Sequence, residues 1–389
     1  MTPAARVAAA IEIIDTILAG DPAEKALTGW ARGNRFAGAK DRAAIRDHVF
    51  DVLRQKRSLT VAAGASDGRS LMIALCKVQG LPLEQLFSGE GYGPPALKDT
   101  ETSPNHPVPD PHDAVDVPEW LWPYWSESLG DQAAAVGRVQ QQRAPVFLRV
   151  NARQAQIDHA IDALAADGID AIPHPSVATC LRVVTNPRRI KTSAAYQTGL
   201  VELQDAASQA AMLRLNVPKD ARVLDYCAGG GGKALAIAAL HDCSVTAHDI
   251  SQERMRDIPA RSDRAGIHID LAANDSLKGA DPFDLVLCDA PCSGSGTWRR
   301  TPDAKWTFTP EKLQLYNDLQ REVLMKSASF TKPGGQVAYM TCSVLRSEND
   351  AIVDSFLETH GDWVSCDSVS LLPSDDWDGF YLNILQKSK

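Results

Sequence analysis

Apolar positions along the first ninety residues recur with a helical rhythm. Val7, Ile11, Ile14 and Leu18 stand three or four apart, which predicts an amphipathic helix over 4–19. Residues 41–57, "DRAAIRDHVFDVLRQKR", repeat the rhythm with Ile45, Val49 and Leu53, and Asp41 offers an N-cap. "RSLMIALCKV" and "LEQLF" read as two more helices, so residues 1–90 are expected to form an all-α domain. The rhythm then stops. Seven prolines lie between Pro94 and Pro118, among glycines and acids that cannot build a core. This predicts an extended linker over 91–118.

Beyond the linker, Trp120, Trp122 and Trp125 stand at helical spacing. Such rings can stack on bases, but this spacing favours packing, and they are expected in a core. "VFLRVN", "IDAIPHP", "CLRVVT" and "LVELQD" read as strands around the helix "QIDHAIDALAADG", a small α+β unit over 119–205. From 206 to 389 the pattern alternates. The apolar runs "ARVLDYC", "SVTAHDI", "IDLAAND", "FDLVLCDAP" and "GGQVAYMTCS" are strands, and "KALAIAALH", residues 310–330 and "SENDAIVDSFLETH" are helices. "DWVSCDSVSLL" and "GFYLNILQK" close the chain as strands. Near-continuous apolar strands between helices imply an α/β domain with a mostly parallel sheet covered on both faces. Ligands of such sheets sit beyond the strand carboxyl ends, where every motif below falls.

The 389 residues suit two or three domains. No apolar run is long enough to span a membrane, and "MTPAARVAAAIEIID" lacks the plan of a signal peptide, so a cytoplasmic protein is expected. The eight cysteines include no CxxC pair. Cys288 and Cys292 have no second Cys/His pair to complete a zinc site, so no metal is expected. Cys76, Cys180, Cys243, Cys288 and Cys366 are expected to be small core residues. A net charge of −9 argues against nucleic-acid binding only globally, because phosphate contacts need just a local basic face. Arg188, Arg189 and Lys191, with Arg299 and Arg300, are the candidate phosphate contacts.

"LDYCAGGGGKALAIAA" runs from strand through glycines into helix, where backbone N–H groups can approach a ligand closely. A P-loop is excluded, because Cys227 and Ala234 occupy positions that need Gly and Ser or Thr. Gly229, Gly231 and Ala234 fit G-x-G-x-x-A, and Asp249 ends the next strand, suited to ribose hydroxyls. Alone, the loop does not separate a nicotinamide cofactor from S-adenosylmethionine.

Cys292 and Cys342 follow two adjacent apolar strands, with Asp289 three positions before the first. C5 of cytosine is a poor nucleophile. A thiolate adding to C6 moves electron density onto C5, which can then attack a methyl sulfonium, and a carboxyl group can protonate N3. A nucleophilic thiol, a neighbouring acid and a methyl donor are what this chemistry needs. "SGSG" after Cys292 would let a base approach.

At these residues the chain resembles the RsmB/Nop2/Sun family of RNA cytosine-C5 methyltransferases. "LQDAASQ", "CAGGGGK", "DAPCSGSGTWRRTPDAKW" and "TCSVLRSEND" carry the resemblance. It implies a Rossmann-like class I methyltransferase domain with a seven-stranded sheet, an RRM-like α+β unit before it and a NusB-like RNA-binding helical domain at the start, the last two expected to dock the RNA. It also implies Cys342 as nucleophile and Cys292 as the thiol that assists release. Cys227, Ala228, Gly229, Gly230, Gly231, Gly232 and Lys233 would hold the cofactor's methionine end, and Asp249 its ribose. Asp275 would border the adenine, Asp289 would lie between cofactor and base, and Lys233 would contact the base. The chain departs from the family at Gly229 and Gly230, which replace Ala-Pro, and at Ala234, which replaces Thr. Losing the proline makes the loop costlier to order.

The expected protein is therefore a monomeric, S-adenosylmethionine-dependent RNA methyltransferase without membrane or metal partners, acting on small-subunit ribosomal RNA. Three rivals stand beside it. They are a non-catalytic RNA-binding assembly factor with a degenerate loop, a nicotinamide-dependent oxidoreductase, and a DNA cytosine methyltransferase that attacks through Cys292.

Overall fold

Helical periodicity at the N-terminus becomes six helices in the computed structural model, which describes residues 1–102 and 109–389. These are α1 (Pro3–Leu18), α2 (Ala23–Gly33), α3 (Ala39–Arg54), α4 (Lys56–Ala63), α5 (Gly68–Val78) and the short α6 (Leu83–Leu86) expected from "LEQLF". Val7, Ile14, Ile45, Val49, Leu53 and Leu71 form their shared core, as the spacing required. Asp41 is not the cap of α3. The helix starts two residues earlier, and Asp41 accepts the Gly38 N–H at 3.2 Å from its first turn. The predicted single helix over 41–57 breaks at Gln55 into α3 and α4. The sequence pattern missed α2, whose two glycines are poor helix formers and whose apolar residues are few.

The chain divides into two compact units. The first comprises Met1–Ser126, Gly130–Arg143 and Trp298–Phe308, and the second comprises Glu127–Leu129, Ala144–Thr297 and Thr309–Lys389. Part of the expected linker, residues 103–108, lies outside the described residues. Its described flanks are not free. The Arg69 guanidinium grips both oxygens of Glu101 at 2.8 and 2.9 Å and holds that carboxyl down at about 2. Buried Asp116 accepts the Arg57 and Ser58 N–H groups at 2.7 and 3.1 Å, capping α4 from sixty residues away. Trp125 is buried and stacks on Trp298 at 6.2 Å, so it packs as core, while Trp120 and Trp122 are half-buried.

Residues 298–308 carry the second half of the "DAPCSGSGTWRRTPDAKW" stretch into the helical unit. There the Trp306 indole donates to the Leu53 carbonyl at 2.6 Å, and the Arg54 guanidinium donates to the Arg299 carbonyl at 2.7 Å. Arg299 is 1% exposed, which corrects its reading as a phosphate contact. A side chain walled in by protein cannot reach a phosphate. Arg300 is exposed.

The second unit holds two sheets. β1 (Val146–Val150), β2 (Ala171–Pro173), β3 (Cys180–Val183) and β4 (Val201–Leu203) form an antiparallel sheet in the order β2-β3-β1-β4. β5 (Ala221–Asp225), β6 (Cys243–His248), β7 (Asp270–Ala272), β8 (Phe283–Asp289), β9 (Thr331–Thr341), β10 (Trp363–Leu371) and β11 (Phe380–Lys387) form the larger sheet in the order β10-β11-β9-β8-β5-β6-β7. β5 to β9 run parallel, while β11 and β10 run antiparallel at one end. The strand order reverses between β5 and β8, the place where open α/β sheets bind ligands. Cys366 corrects one expectation. It lies exposed on β10, the edge strand, whose outer face has no layer to cover it.

Candidate active site

Register brings the two cysteines together. β8 and β9 pair so that Asp289 stands opposite Met340, and both strands end at the same edge of the sheet. The loops that follow place Cys292 Sγ 3.5 Å from Cys342 Sγ. The Gly296 N–H donates to the Cys342 carbonyl at 2.9 Å, and the Gly379 N–H donates to the Gly296 carbonyl at the same distance. A Cβ on Gly296 would sit 2.6 Å from the Gly379 Cα, so only glycine allows this approach.

Two thiols this close share one proton unequally. The Cys292 S–H hydrogen bond lowers Cys342, helped by the Lys233 charge and the Thr297 hydroxyl at 4.0 Å. The same contact, together with burial, pushes Cys292 well above the ordinary thiol value. The pair is thus biased, with Cys342 driven towards thiolate and Cys292 towards thiol.

Lys233 and Asp289 join them. Lys233 Nζ donates to Asp289 Oδ2 at 2.6 Å and lies 5.2 Å from the centre of the Phe380 ring. Burial alone would lower the Lys233 ammonium, but the charges of Asp289 and Asp225 outweigh it and hold it raised. The glycine loop follows β5 on the neighbouring strand. Gly229 and Gly231 have φ of 52° and 79°, in the left-handed region, and a Cβ on Gly231 would lie 2.8 Å from Ile258. Asp249 is buried at the tip of β6, where it accepts the Gly229 and Ser251 N–H groups at 2.9 Å and pairs with Arg254 at 3.0 Å. A ribose would compete with Arg254 for that carboxylate. Cys227, Ala228 and Gly232 are half-buried in the same loop, and Gly230 is exposed.

The remaining expected site residues are exposed. Asp275 is exposed and pairs with Lys278 at 2.8 Å. Arg188, Arg189 and Lys191 are exposed on the turn Pro187–Thr192.

Several residues at the site escaped the sequence reading. Glu348 is fully buried and binds both cysteine loops. One oxygen accepts the Ser293 N–H at 2.8 Å and the Gln320 amide at 3.1 Å, and the other accepts the Ser293 and Ser343 hydroxyls. Its signal was an acid inside the "TCSVLRSEND" stretch. Arg149, a lone charge in the apolar strand "VFLRVN", is buried and donates to the Gly232 carbonyl at 2.9 Å. Gln204 of "LQDAASQ" reaches the same carbonyl at 3.3 Å, which gives that stretch its task. Nothing in the sequence marks these contacts, because each spans dozens of residues.

Asp225 ends β5 directly behind the loop. Its Oδ2 accepts the Ala234 N–H at 3.0 Å, while its buried Oδ1 has no hydrogen-bond partner. Burial, with Asp289 and Asp249 adding to it against the pull of Lys233, raises this carboxyl to about 7. The folded protein therefore holds a proton that the unfolded chain loses near its ordinary value of 3.8. Stability contributed by this group falls as pH rises from about 4 to about 7, by up to ~4 kcal/mol. Asp225→Asn cannot ionise, and its amide oxygen still accepts from Ala234. Thermal melts at pH 5 and pH 8 should show wild type losing more stability than the variant; parallel curves would refute the assignment.

A seven-stranded sheet of this order, with a glycine loop after its central strand and functional groups at the neighbouring tips, defines a Rossmann-like methyltransferase fold. Solved structures share it. The match to the crystal structure of PH0851 has 22% identity and a TM-score of 0.78, covering 100% of this chain and 99% of that one. A methyltransferase homologue from Pyrococcus horikoshii matches at 22% identity and a TM-score of 0.63, over 72% of this chain and 98% of its own. NSun6 from Pyrococcus horikoshii, solved with SFG, matches at 17% identity and a TM-score of 0.63, over 70% and 99%.

Residues 212–377 match the family described as 16S rRNA methyltransferase RsmB/F, and residues 117–190 match its ferredoxin-like domain. The chain belongs to the RsmB/F methyltransferase family. A probable ribosomal RNA small subunit methyltransferase B from Bacillus subtilis (strain 168) is 32% identical over 255 residues, 63% of this chain and 57% of that protein. A ribosomal RNA small subunit methyltransferase B from Klebsiella pneumoniae (strain 342) is 30% identical over 286 residues, 70% of this chain and 66% of that protein. The match thus spans a little over half the length of the Bacillus relative.

Proposed function

We propose that the chain methylates C5 of cytosine in RNA, using S-adenosylmethionine, and that the RNA is small-subunit ribosomal RNA. The observation that carries the reading is the cysteine pair: two sulfurs 3.5 Å apart, one driven towards thiolate and one towards thiol, beside Lys233 and Asp289. A nicotinamide-dependent enzyme that moves hydride from cofactor to substrate gives that pair no shared role. The relatives named for ribosomal RNA methylation supply the substrate class.

The residues present fit the cofactor. The glycine loop with its left-handed turns, the buried Asp249 and the unpartnered Asp225 Oδ1 are the cradle that a charged nucleoside needs. Cys227 to Lys233 would hold its methionine end, Asp249 its ribose and Asp275 the edge of its adenine. When bound, S-adenosylmethionine supplies an electrophilic methyl group on sulfur.

The chain's residues do the rest. Cys342 Sγ adds to C6, and a proton passes along the Lys233–Asp289 contact to N3, so electron density collects at C5. Once Cys342 is tied to carbon it no longer carries charge. The largest cause raising Cys292 then disappears, so Cys292 can release its own proton to solvent and, once C5 carries the methyl group, take the C5 proton in its place. The C6–S bond breaks, N3 gives up its proton, and Cys342 leaves as thiolate. The target base must be unpaired or flipped from its stack to reach the thiols. Arg188, Arg189, Lys191 and Arg300, all exposed, are proposed to contact phosphates.

The test is methyl transfer from labelled S-adenosylmethionine to small-subunit RNA purified from cells lacking this protein, followed by bisulfite mapping. Label resistant to bisulfite conversion at one cytosine is expected. Label on another base or ring position would sink the cytosine chemistry. Absence of cofactor binding by calorimetry would favour an assembly factor instead.

A further inference from the structure

Four consecutive glycines leave the loop after β5 with no side chain to anchor it, and position 230 lacks the proline of the family pattern. The anchors come from outside the loop. Arg149 on β1 is 5% exposed, and its Nη1 donates to the Gly232 carbonyl at 2.9 Å and to the Gln204 side chain. Burial lowers this guanidinium to about 10, with Glu202 opposing, so it keeps its charge at neutral pH. On the helix Ile258–Ala265, Arg261 Nη1 donates to the Gly230 carbonyl, and its Nε donates to Glu202 Oε2 at 3.3 Å.

One small sheet stands behind both contacts. β1 and β4 pair so that Arg149 lies opposite Glu202. The sheet therefore grips one carbonyl directly and the other through Glu202 and Arg261. It also holds the helix that carries Arg261. The Asn151 amide donates to the Ala265 carbonyl at 2.8 Å, and Arg264 donates to Glu202 at 2.8 Å. Charged donors make stronger hydrogen bonds than neutral ones, and the two held carbonyls fix the peptide planes 230–231 and 232–233. Position 230 shows why glycine and arginine come together. A Cβ there would lie 3.1 Å from Arg261 Nη1, so a side chain at 230 and this guanidinium compete for one space.

We infer that Arg261 and Arg149 are positioning residues that hold the glycine loop in its cofactor-binding shape through the Gly230 and Gly232 carbonyls, with Arg261 replacing the missing proline. The inference rests on the reading of the chain as an S-adenosylmethionine enzyme, and it makes cofactor affinity depend on the small antiparallel sheet. Both arginines act through the loop's backbone. A loop that is ready in only a fraction of the molecules weakens apparent affinity by that fraction and leaves the bound state unchanged.

The test uses the full chain. Arg261→Ala should weaken S-adenosylmethionine binding about tenfold by calorimetry, the loss expected for a hydrogen bond from a charged donor. In methyl transfer the defect should fall in KM for the cofactor, with kcat unchanged. Hydrogen exchange without cofactor reads the loop itself, and the amides of 227–233 should exchange at least tenfold faster. Arg149→Ala should act in the same direction but also lower the melting temperature, because its side chain is buried. Arg214→Ala breaks an exposed ion pair with Asp367 and controls for general loosening, so its loop exchange and affinity should stay at wild type. Gly230→Pro alone should bring no gain, because its ring displaces the guanidinium. Placed in Arg261→Ala, it should recover most of the lost affinity.

Wild-type loop exchange and cofactor affinity in Arg261→Ala overturn the inference, and so does a double variant no tighter than Arg261→Ala. The two readings fail separately. Cofactor binding that ignores Arg261 sinks the clamp alone. Faster loop exchange in Arg261→Ala, when wild type binds no S-adenosylmethionine, sinks the enzyme and leaves the clamp on the loop.

Discussion

Cys342→Ala should abolish methyl transfer and yield no covalent protein–RNA species, whereas Cys292→Ala should accumulate one. The asymmetry follows from the shared proton. Cys342 is the sulfur held towards thiolate by Cys292, Lys233 and Thr297, so it attacks. Removing an enzyme's nucleophile costs roughly 10⁴-fold or more in kcat. Cys292 is held protonated until Cys342 is consumed, so its loss blocks release, a proton-transfer defect of roughly 10² to 10⁴; attack is slowed, because Cys342 loses its main stabilising contact, but it still proceeds and the adduct collects. Denaturing gels after incubation with RNA and cofactor read both variants. Adduct from Cys342→Ala would reverse the roles and give Cys292 the attack, as in the DNA enzymes. A pH series adds a check: because Cys342 is lowered, wild-type adduct formation should plateau below the ordinary thiol range near 9.

Glu348→Gln should cut kcat by about 10²-fold while leaving the fold largely intact. Glu348 accepts from groups on both cysteine loops and touches no substrate, so it is a positioning residue. Its carboxylate accepts four donors with two oxygens. A glutamine either sets its NH₂ against the Ser293 N–H and the Gln320 amide, donor facing donor, or turns it to the serine hydroxyls, whose own O–H groups then lose their acceptor. An unsatisfied buried donor costs about 1–3 kcal/mol. In catalysis the cost appears as a wider Sγ–Sγ separation. The Cys342 thiol should then return towards its ordinary acidity, and the pH midpoint of its alkylation by iodoacetamide should rise. A purely structural Glu348 would lower the melting temperature without moving that midpoint. Glu348→Ala leaves all four donors unmet and is expected to be the more damaging change. Wild-type kcat and alkylation in Glu348→Gln would end this account.

Much of this was readable before any coordinates. The apolar runs of β5, β8 and β9 announced a buried parallel sheet, because a strand covered on both faces has no polar side to show. The glycines, Asp249, Asp289 and the two cysteines were found because each sits just after such a run. Local patterns carried these readings, since a strand and the residue at its tip are neighbours in sequence.

The failures share the opposite property. Asp41 was taken as a cap because the pattern of α3 does not mark its first turn, and α2 was passed over because its apolar face is short. Arg299 looked like a surface cation, but whether a basic side chain is buried depends on what folds over it. Arg149 was silent because its partner Gly232 lies on another segment, and Glu348 and Asp225 passed unremarked because nothing along the chain marks an acid as buried. The chain's own order of residues settled which thiols, acids and glycines stand at strand tips. The 3.5 Å between the sulfurs, the unequal sharing of their proton and the carboxylate that braces them were settled only in three dimensions. Acidity depends on distance and burial, and neither is written along a chain.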